Sequence, residues 1–411
     1  MKYPGCLLMS KEEKNTIVPK LRFSEFIGNG EWSEKSLGDV LIKNSTKNKD
    51  LKYSLVESVS NKFGFIKQDE YFENRIVASK DTSNYYIIKK GYFAYNPSRI
   101  DVGSLAYKHD DKVSIISPLY VSFKANNSII DDYFLLCFFK TIGFTRQMIF
   151  EGGVRNTLNY ENLIQIKISV PTLSEQQKIA DCLLSLDDLI TAENQKLEAL
   201  KARKKGLMQQ LFPAKDETVP RLRFEEFNES GEWEEKTLKD VCQMQAGKFV
   251  SASEINETKE DNLFPCYGGN GLRGYTTSFT HAGNYSLIGR QGALCGNVIL
   301  VNGKFHATEH AVVVTPKQNV DTAWLYYMLV RLNLNQYATG QAQPGLSVDN
   351  LEKVALKISK SKEEQQKIVD CLSSVDELIT TQAEKIATLN QHKKGLMQGL
   401  FPNNNNLLLE K

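Results

Sequence analysis

A chain of 411 residues with 41% hydrophobic content is long enough for two or three separate cores, and a formal net charge of +2 is not that of a protein that grips nucleic acid by bulk charge alone. Seven cysteines (Cys6, Cys137, Cys182, Cys242, Cys266, Cys295 and Cys371) contain no CxxC pair and no regular spacing, which argues for free thiols in a reducing compartment. The opening MKYPGCLLMSKEEK lacks the apolar core of a secretory signal, and the longest apolar run, Tyr133–Phe139, is far short of a membrane span, so a soluble cytoplasmic protein is expected.

In chain order, residues 1–17 form an N-terminal extension in which Met9 reads as an alternative start. From Val18 to Val40 runs VPKLRFSEFIGNGEWSEKSLGDV, which returns at 219–241 as VPRLRFEEFNESGEWEEKTLKDV with 15 identities in 23 positions. A first insert, 45–168, reads as short strands over 85–101 and 112–125, a short helix over Asp131–Thr141, and the segment EGGVRNTLNYENL at 151–163. A long helical stretch follows, and the text from Glu175 to Pro213 returns from Glu364 to Pro402 with 24 identities in 39 positions. The second insert, 245–356, does not align with the first. It is strand-rich over 284–316, with a helix around Asp321–Leu332 and the segment ATGQAQPGLSVDNL at 338–351 before its own long helix. A tandem duplication with similar ends and divergent middles fixes the architecture, and the two inserts share a plan without sharing a text.

The two long stretches carry apolar residues at alternating steps of four and three. In the first these are Ile179, Leu183, Leu186, Ile190, Leu197, Leu200, Leu207 and Leu211; in the second Ile368, Leu372, Val375, Ile379, Ile386, Leu389, Leu396 and Leu400. Such a heptad seam predicts a coiled coil, with polar seam residues Glu193, Lys204, Gln382 and Lys393 that fix register at a cost in stability. Thr172 and Ser361, each with a glutamate three residues on, mark the starts, and Leu-Phe-Pro marks the ends. Each helix spans roughly 55–60 Å at ~1.5 Å per residue. If they pair with each other, the antiparallel arrangement sets Glu193 against Gln382, where an amide hydrogen-bonds a carboxylate.

Chemical motifs are sparse. Gly269-Asn-Gly271-Leu-Arg-Gly274 satisfies GxGxxG, but β-branched, turn-rich text follows it and no helix N-terminus is offered to a pyrophosphate. His306-Ala-Thr-Glu309-His310 matches HxxEH, which needs a helix to converge both histidines. Its flanks are strand text, and strand residues four apart lie ~13 Å apart. A metal-dependent hydrolase built on His306, Glu309 and His310 remains one alternative, and a coiled-coil scaffold that binds no DNA another. There is no phosphate loop and no GxSxG elbow. From Asn262 to Val348 five basic residues (Arg273, Arg290, Lys304, Lys317, Arg331) face two acidic ones (Glu309, Asp321), a local excess suited to a phosphate backbone.

The VPKLRF…EW…L.DV openings, the EQQKI…KKGLMQ.LFP helices and insert text such as KKGYFAYNPS and SLIGRQGALCGNV together resemble the specificity (S) subunits of type I restriction–modification systems, from Val18 to Pro402. The resemblance implies an α+β fold of two mixed α/β target recognition domains, joined by two long helices in an antiparallel coiled coil with an internal pseudo-two-fold repeat. The divisions are then 1–17 extension, 18–170 first recognition domain, 171–213 first long helix, 214–358 second recognition domain, 359–402 second long helix, and 403–411 tail. It further implies a non-catalytic subunit whose recognition domains each read half of a bipartite site in double-stranded DNA. The helices would set the gap and dock two methyltransferase subunits, with two restriction subunits completing the complex. S-adenosylmethionine, ATP and magnesium would sit on those partners and none on this chain. Base edges are read by Arg, Asn, Gln and Ser/Thr, so the candidates are Asn96, Ser98, Arg99, Arg155 and Asn156 in the first insert and Arg273, Arg290, Gln291, Gln341 and Gln343 in the second.

Overall fold

Two strand-rich inserts alternate with two long helices in the computed structural model, which describes residues 18–71, 81–151, 157–292, 294–340 and 344–402. The chain forms two compact units, one of residues 1–192 with 386–411 and the other of residues 193–385, so each long helix contributes one half to each unit.

In the first unit a sheet of order β2-β9-β6-β7 (Leu41–Lys43, Val121–Ala125, Tyr92–Tyr95, Leu105–Tyr107) is antiparallel throughout. A second sheet has the order β4-β3-β8-β5 (Gly64–Lys67, Val56–Ser60, Ser114–Ile116, Tyr86–Ile88), in which β3 and β8 run parallel. β1 (Ser33–Ser36) and β10 (Lys167–Val170) pair antiparallel where the insert begins and ends. The second unit repeats this strand for strand. β12-β19-β16-β17 (Cys242–Ala246, Ala311–Pro316, Tyr285–Gly289, Val298–Val301) is antiparallel. β14-β13-β18-β15 (Gly271–Thr276, Phe264–Gly268, Lys304–Ala307, His281–Ala282) has β13 parallel to β18, and β11 (Glu234–Thr237) pairs with β20 (Ala355–Ile358). Two inserts that cannot be aligned as text therefore share one topology.

Period-two alternation explains the layers. Phe93 and Tyr95 point into a core with Phe123, Phe139 and Phe144, while Ala94 between them faces Val59, Ile88 and Ile116. In the second unit Val312 and Val314 join Trp324 and Leu325, while Ala311 and Val313 join Leu287 and Phe305. A short helix closes each main core, α1 (Asp132–Phe138) and α2 (Thr322–Arg331), capped by Asp131 and Asp321 accepting from the second and third amides beyond them. The expected helix over Asp131–Thr141 thus ends earlier, at Phe138, and a separate turn of helix, Ile142–Arg146, follows under its own cap, Thr141.

The long helices span Leu173–Gln210 and Lys362–Leu400. In the first unit Asp187 meets Lys393, and Ile179 and Leu183 share a core with Leu396 and Leu400. In the second, Glu193 meets Gln382 and Lys385, and Lys204 meets Asp376. Rising numbers on one helix meet falling numbers on the other, so each pair of halves is antiparallel. The seam runs as expected through buried or half-buried Leu186, Ile190, Leu197, Leu200, Leu207, Leu211, Ile368, Leu372, Val375, Ile379, Ile386 and Leu389. Toward its ends it merges with the insert cores. No described helix is long and apolar enough to cross a membrane.

Candidate nucleic-acid interface

The repeated blocks hold each other, and so hold the inserts in place. Arg22 forks onto Glu175 at the start of the first long helix, with Nε to Oε1 at 2.7 Å and Nη2 to Oε2 at 2.8 Å, and its Nη1 donates to the Gly30 carbonyl at 2.6 Å. Arg223 does the same to Glu364, at 2.7 and 3.1 Å, and to the Gly231 carbonyl at 2.8 Å. Two parallel charge-assisted bonds fix orientation as well as distance. The adjacent glutamines reach the inserts. Gln176 Oε1 accepts from the Asp131 amide and Gln365 Oε1 from the Asp321 amide, both at 2.8 Å. The copies differ at one point: Trp32 Nε1 donates to Glu175 at 3.2 Å, whereas Glu364 takes a hydrogen bond from the Ser359 hydroxyl.

On this frame sits a recurring loop arrangement. In the first unit the chain leaves β6 into a turn in which Asn96 Oδ1 accepts from the Ser98 amide at 3.1 Å and the Asn96 carbonyl accepts from the Arg99 amide at 3.0 Å. The Leu158 amide donates to the Pro97 carbonyl at 3.0 Å, and the Ser98 and Thr157 hydroxyls lie 3.4 Å apart. Thr157 and Glu151 exchange both backbone hydrogen bonds. In the second unit the chain leaves β16 through Arg290 and Gln291. The Leu346 amide donates to the Arg290 carbonyl at 2.9 Å, Gln291 bridges to Gly345, and Gly345 and Thr339 exchange both backbone bonds. In each unit, then, the loop after the central strand is fastened to the segment that precedes the next long helix. Arg155 and Asn156 lie in sequence between Glu151 and Thr157, and Gln341 and Gln343 between Thr339 and Gly345; all four are outside the described residues.

Gly268 and Gly269 bring the remaining candidates together. A Cβ on Gly269 would stand 3.4 Å from the Gln291 carbonyl oxygen and 3.8 Å from the Arg290 nitrogen, and one on Gly268 would stand 3.4 Å from Arg273 Cδ. Asn96, Ser98 and Arg99 thus form one group, and Arg273, Arg290 and Gln291 the other. The first offers amide, hydroxyl and guanidinium, the second two guanidinia and an amide. Side chains of these types are the ones that pair with base edges in a major groove, and the loops after β6 and β16 carry them at equivalent places in the fold with different chemistry.

The metal motif does not assemble. His306 lies in β18 with both ring nitrogens engaged, Nδ1 with the Ser278 hydroxyl at 3.1 Å and Nε2 with the Lys248 carbonyl at 3.2 Å. The flanks are strand as expected, and between them the chain turns at Thr308–His310, where His310 Nε2 faces Glu309 Oε1 at 3.2 Å. Among the described residues no group of three His, Cys, Asp or Glu side chains could hold a metal ion, and the hydrolase alternative loses its site. The GxGxxG match is the β13–β14 turn and leads into a strand. Burial pushes the Cys137 and Cys242 thiols up to about 12, which leaves neither as a nucleophile.

The polar seam residues are all partnered. Gln382 Nε2 donates to Glu193 Oε2 at 2.6 Å and to its carbonyl at 3.0 Å, and Lys385 Nζ donates to Oε1 at 2.5 Å. Bonds from Lys385 and then Gln382 hold the Glu193 carboxyl below the usual range. The expected Glu193–Gln382 pairing is present, with Lys385 as a third member that the heptad pattern gave no reason to include.

A family model for the type I restriction modification DNA specificity domain matches residues 29–202 and again 230–391. The specificity subunit of the type I restriction enzyme EcoprrI of Escherichia coli is 46% identical over 154 residues, which are 37% of this chain and 38% of that relative's length. The MjaVIII specificity subunit of Methanocaldococcus jannaschii is 27% identical over 322 residues, 71% of this chain and 74% of the relative. Among solved structures, the S subunit of a type I restriction-modification system from M. genitalium superposes with a TM-score of 0.60 at 16% identity, covering 94% of this chain and 99% of that one. A chain from a structural study of type I R-M complex assembly superposes at 0.54, with 18% identity, 90% of this chain and 98% of that one.

Proposed function

The chain belongs to the family of type I restriction–modification DNA specificity subunits, and we propose that it directs such a complex to a bipartite, asymmetric site in double-stranded DNA without catalysing a reaction itself. The observation that carries this reading is the repeated loop arrangement on one topology with different side chains. The first unit offers Asn96, Ser98 and Arg99 where the second offers Arg290 and Gln291, joined by Arg273. Identical scaffolds with unlike reading groups suit two unlike half-sites. Arg155, Asn156, Gln341 and Gln343 belong to the same reading, since each lies in sequence within a segment to which these loops are fastened.

On this reading the long helices fix the unspecified gap between half-sites, because each passes through both units. They also dock the methyltransferase subunits, two of them matching the two copies of the repeated text, and two restriction subunits complete the complex. S-adenosylmethionine, ATP and magnesium belong to those partners. The near-neutral net charge fits a subunit that shares its DNA contact with others. Mapping N6-methyladenine across a genome with the gene present and deleted tests this directly. One motif of two different halves at fixed spacing should vanish with the gene. An unchanged methylation map in a cell holding both partner subunits would refute it and leave the non-DNA-binding scaffold standing.

A further inference from the structure

Each insert is also tied to the helices by a side-chain bridge that the duplication did not simply copy. In the first unit the Tyr133 hydroxyl, on α1, donates to one oxygen of Asp187 on the first long helix, and Lys393 of the second long helix donates to the other. In the second unit the Tyr327 hydroxyl, on α2, donates to Asp376 Oδ2 at 2.8 Å, and Lys204 meets Asp376 Oδ1 at 2.6 Å. Asp187 and Asp376 are equivalent in the repeated helix text, as are Lys204 and Lys393. The tyrosines are not. Asp131 and Asp321 are matched by their identical bonds to Gln176 and Gln365, and from them Tyr133 is two residues on and Tyr327 six. Four residues is one helical turn on one face, so unlike insert sequences deliver a hydroxyl to the same carboxylate from different turns.

We propose that Tyr133–Asp187–Lys393 and Tyr327–Asp376–Lys204 are positioning residues that couple the seating of each recognition insert to the register of the two long helices. The coupling resides in the shared carboxylate, whose one oxygen serves the insert and whose other serves the opposite helix. Its role in spacing the half-sites rests on the function proposed above. Desolvation opposes the charge on Asp187, yet the bonds from Lys393 and Tyr133 outweigh it and keep the carboxyl below its ordinary range. The insert hydroxyl and the opposite lysine are therefore held by one anion.

The test uses full-length chain in two assays. By hydrogen exchange on the purified protein, Lys393→Gln should raise exchange across residues 132–138 to an extent comparable with Tyr133→Phe, although Lys393 lies on another element. Tyr133→Phe and Tyr327→Phe, assembled with methyltransferase subunits, should methylate duplexes whose gap is one base pair longer or shorter at least ten-fold better relative to the native gap, with both half-site sequences unchanged. Exchange over 132–138 that responds to Tyr133→Phe but not to Lys393→Gln overturns the coupling. Methylation that falls equally at every gap length shows a merely structural bond and overturns the positioning role. A wild-type complex that recognises no two-part motif refutes the proposed function instead, and the exchange assay then decides the coupling alone.

Discussion

Replacing Lys108 by Met should selectively destabilise the first unit. Lys108 Nζ lies 2.8 and 2.7 Å from the two oxygens of Glu57, and Ser114 Oγ donates to the same carboxylate at 2.5 Å. The lysine side chain is 1% exposed and the glutamate 8%. Asp110, 54% exposed, meets Lys108 at 3.1 Å from the solvent side and is the weaker partner. Removing the lysine strands a carboxylate between two sheets with one hydroxyl for company, and breaking a buried pair in this way costs about 3–5 kcal/mol. With a urea dependence of about 2–3 kcal/mol per molar for a unit of this size, the local midpoint falls by roughly 1–2.5 M. Two units make a single global transition unsafe, so urea-dependent hydrogen exchange should be read peptide by peptide. Strands 56–60 and 114–116 should shift while 285–289 does not. Adding Glu57→Gln to Lys108→Met should restore at least half of the loss, because an unpaired amide replaces an unpaired charge. A shift below about 0.3 M would mean that the unit relaxes enough to hydrate Glu57, and a double variant no better than the single would show that packing, not charge, sets the cost.

Exchanging residues 45–168 for the corresponding insert of another family member should change one half of the methylated motif and leave the other half and the gap intact; change in both halves would contradict independent reading. Gly289→Ala should unseat the Arg290–Gln291 loop, because the new methyl would stand 1.9 Å from the Gly269 carbonyl oxygen. Such overpacking costs about 1–3 kcal/mol or more, and wild-type recognition of the second half-site by this variant would exclude that loop from the interface. The Glu193 carboxyl is depressed in the folded chain, so its stabilisation is present above the ordinary glutamate range of about 4.3 and is lost as pH falls through the lower folded value. Gln382→Glu should therefore lower the melting temperature at pH 7, where two carboxylates meet, and recover part of it near pH 5 as one takes a proton. A deficit independent of pH would point to lost packing instead.

Elements with one strong local pattern were legible in the sequence. The heptads placed both long helices, with limits within three residues, and alternating apolar text placed strands in 85–101, 112–125 and 284–316. Among the described candidates, Asn96, Ser98 and Arg99 share one loop and Arg290 and Gln291 another, because each loop is fastened to the segment before a long helix. Partners distant in sequence were not legible. Nothing local announces that β3 pairs parallel with β8, or that Arg22 forks onto a glutamate 153 residues away. Lys108 reads as one more surface lysine, and its burial follows only from Glu57 arriving on β3 of the other four-stranded sheet. Lys204 and Lys393 read as isolated polar seam positions, because the carboxylates that pair with them come from the other helix.

How the inserts can differ so widely on one topology follows from what the frame grips. Gln176 accepts from the Asp131 amide and donates to the Ile129 and Pro171 carbonyls, at 2.8, 3.0 and 2.9 Å. Gln365 does the same to the Asp321 amide and the Asn319 and Ser359 carbonyls, at 2.8, 3.2 and 2.9 Å. The amide and carbonyls that these glutamines engage are backbone groups, which nearly any sequence supplies. The loop fastenings at Pro97–Leu158 and Arg290–Leu346 are backbone bonds too, so they do not depend on which side chains the loops carry. What an insert must bring is an apolar alternation to fill the sheets, an aspartate to cap its short helix, and one hydroxyl within reach of the helix carboxylate. Tyr133 and Tyr327 meet that last requirement from different turns, as expected when the constraint falls on where an oxygen lies and not on which residue number carries it. A scaffold that grips its inserts at backbone groups can exchange the side chains on their loops without rebuilding the frame that holds them.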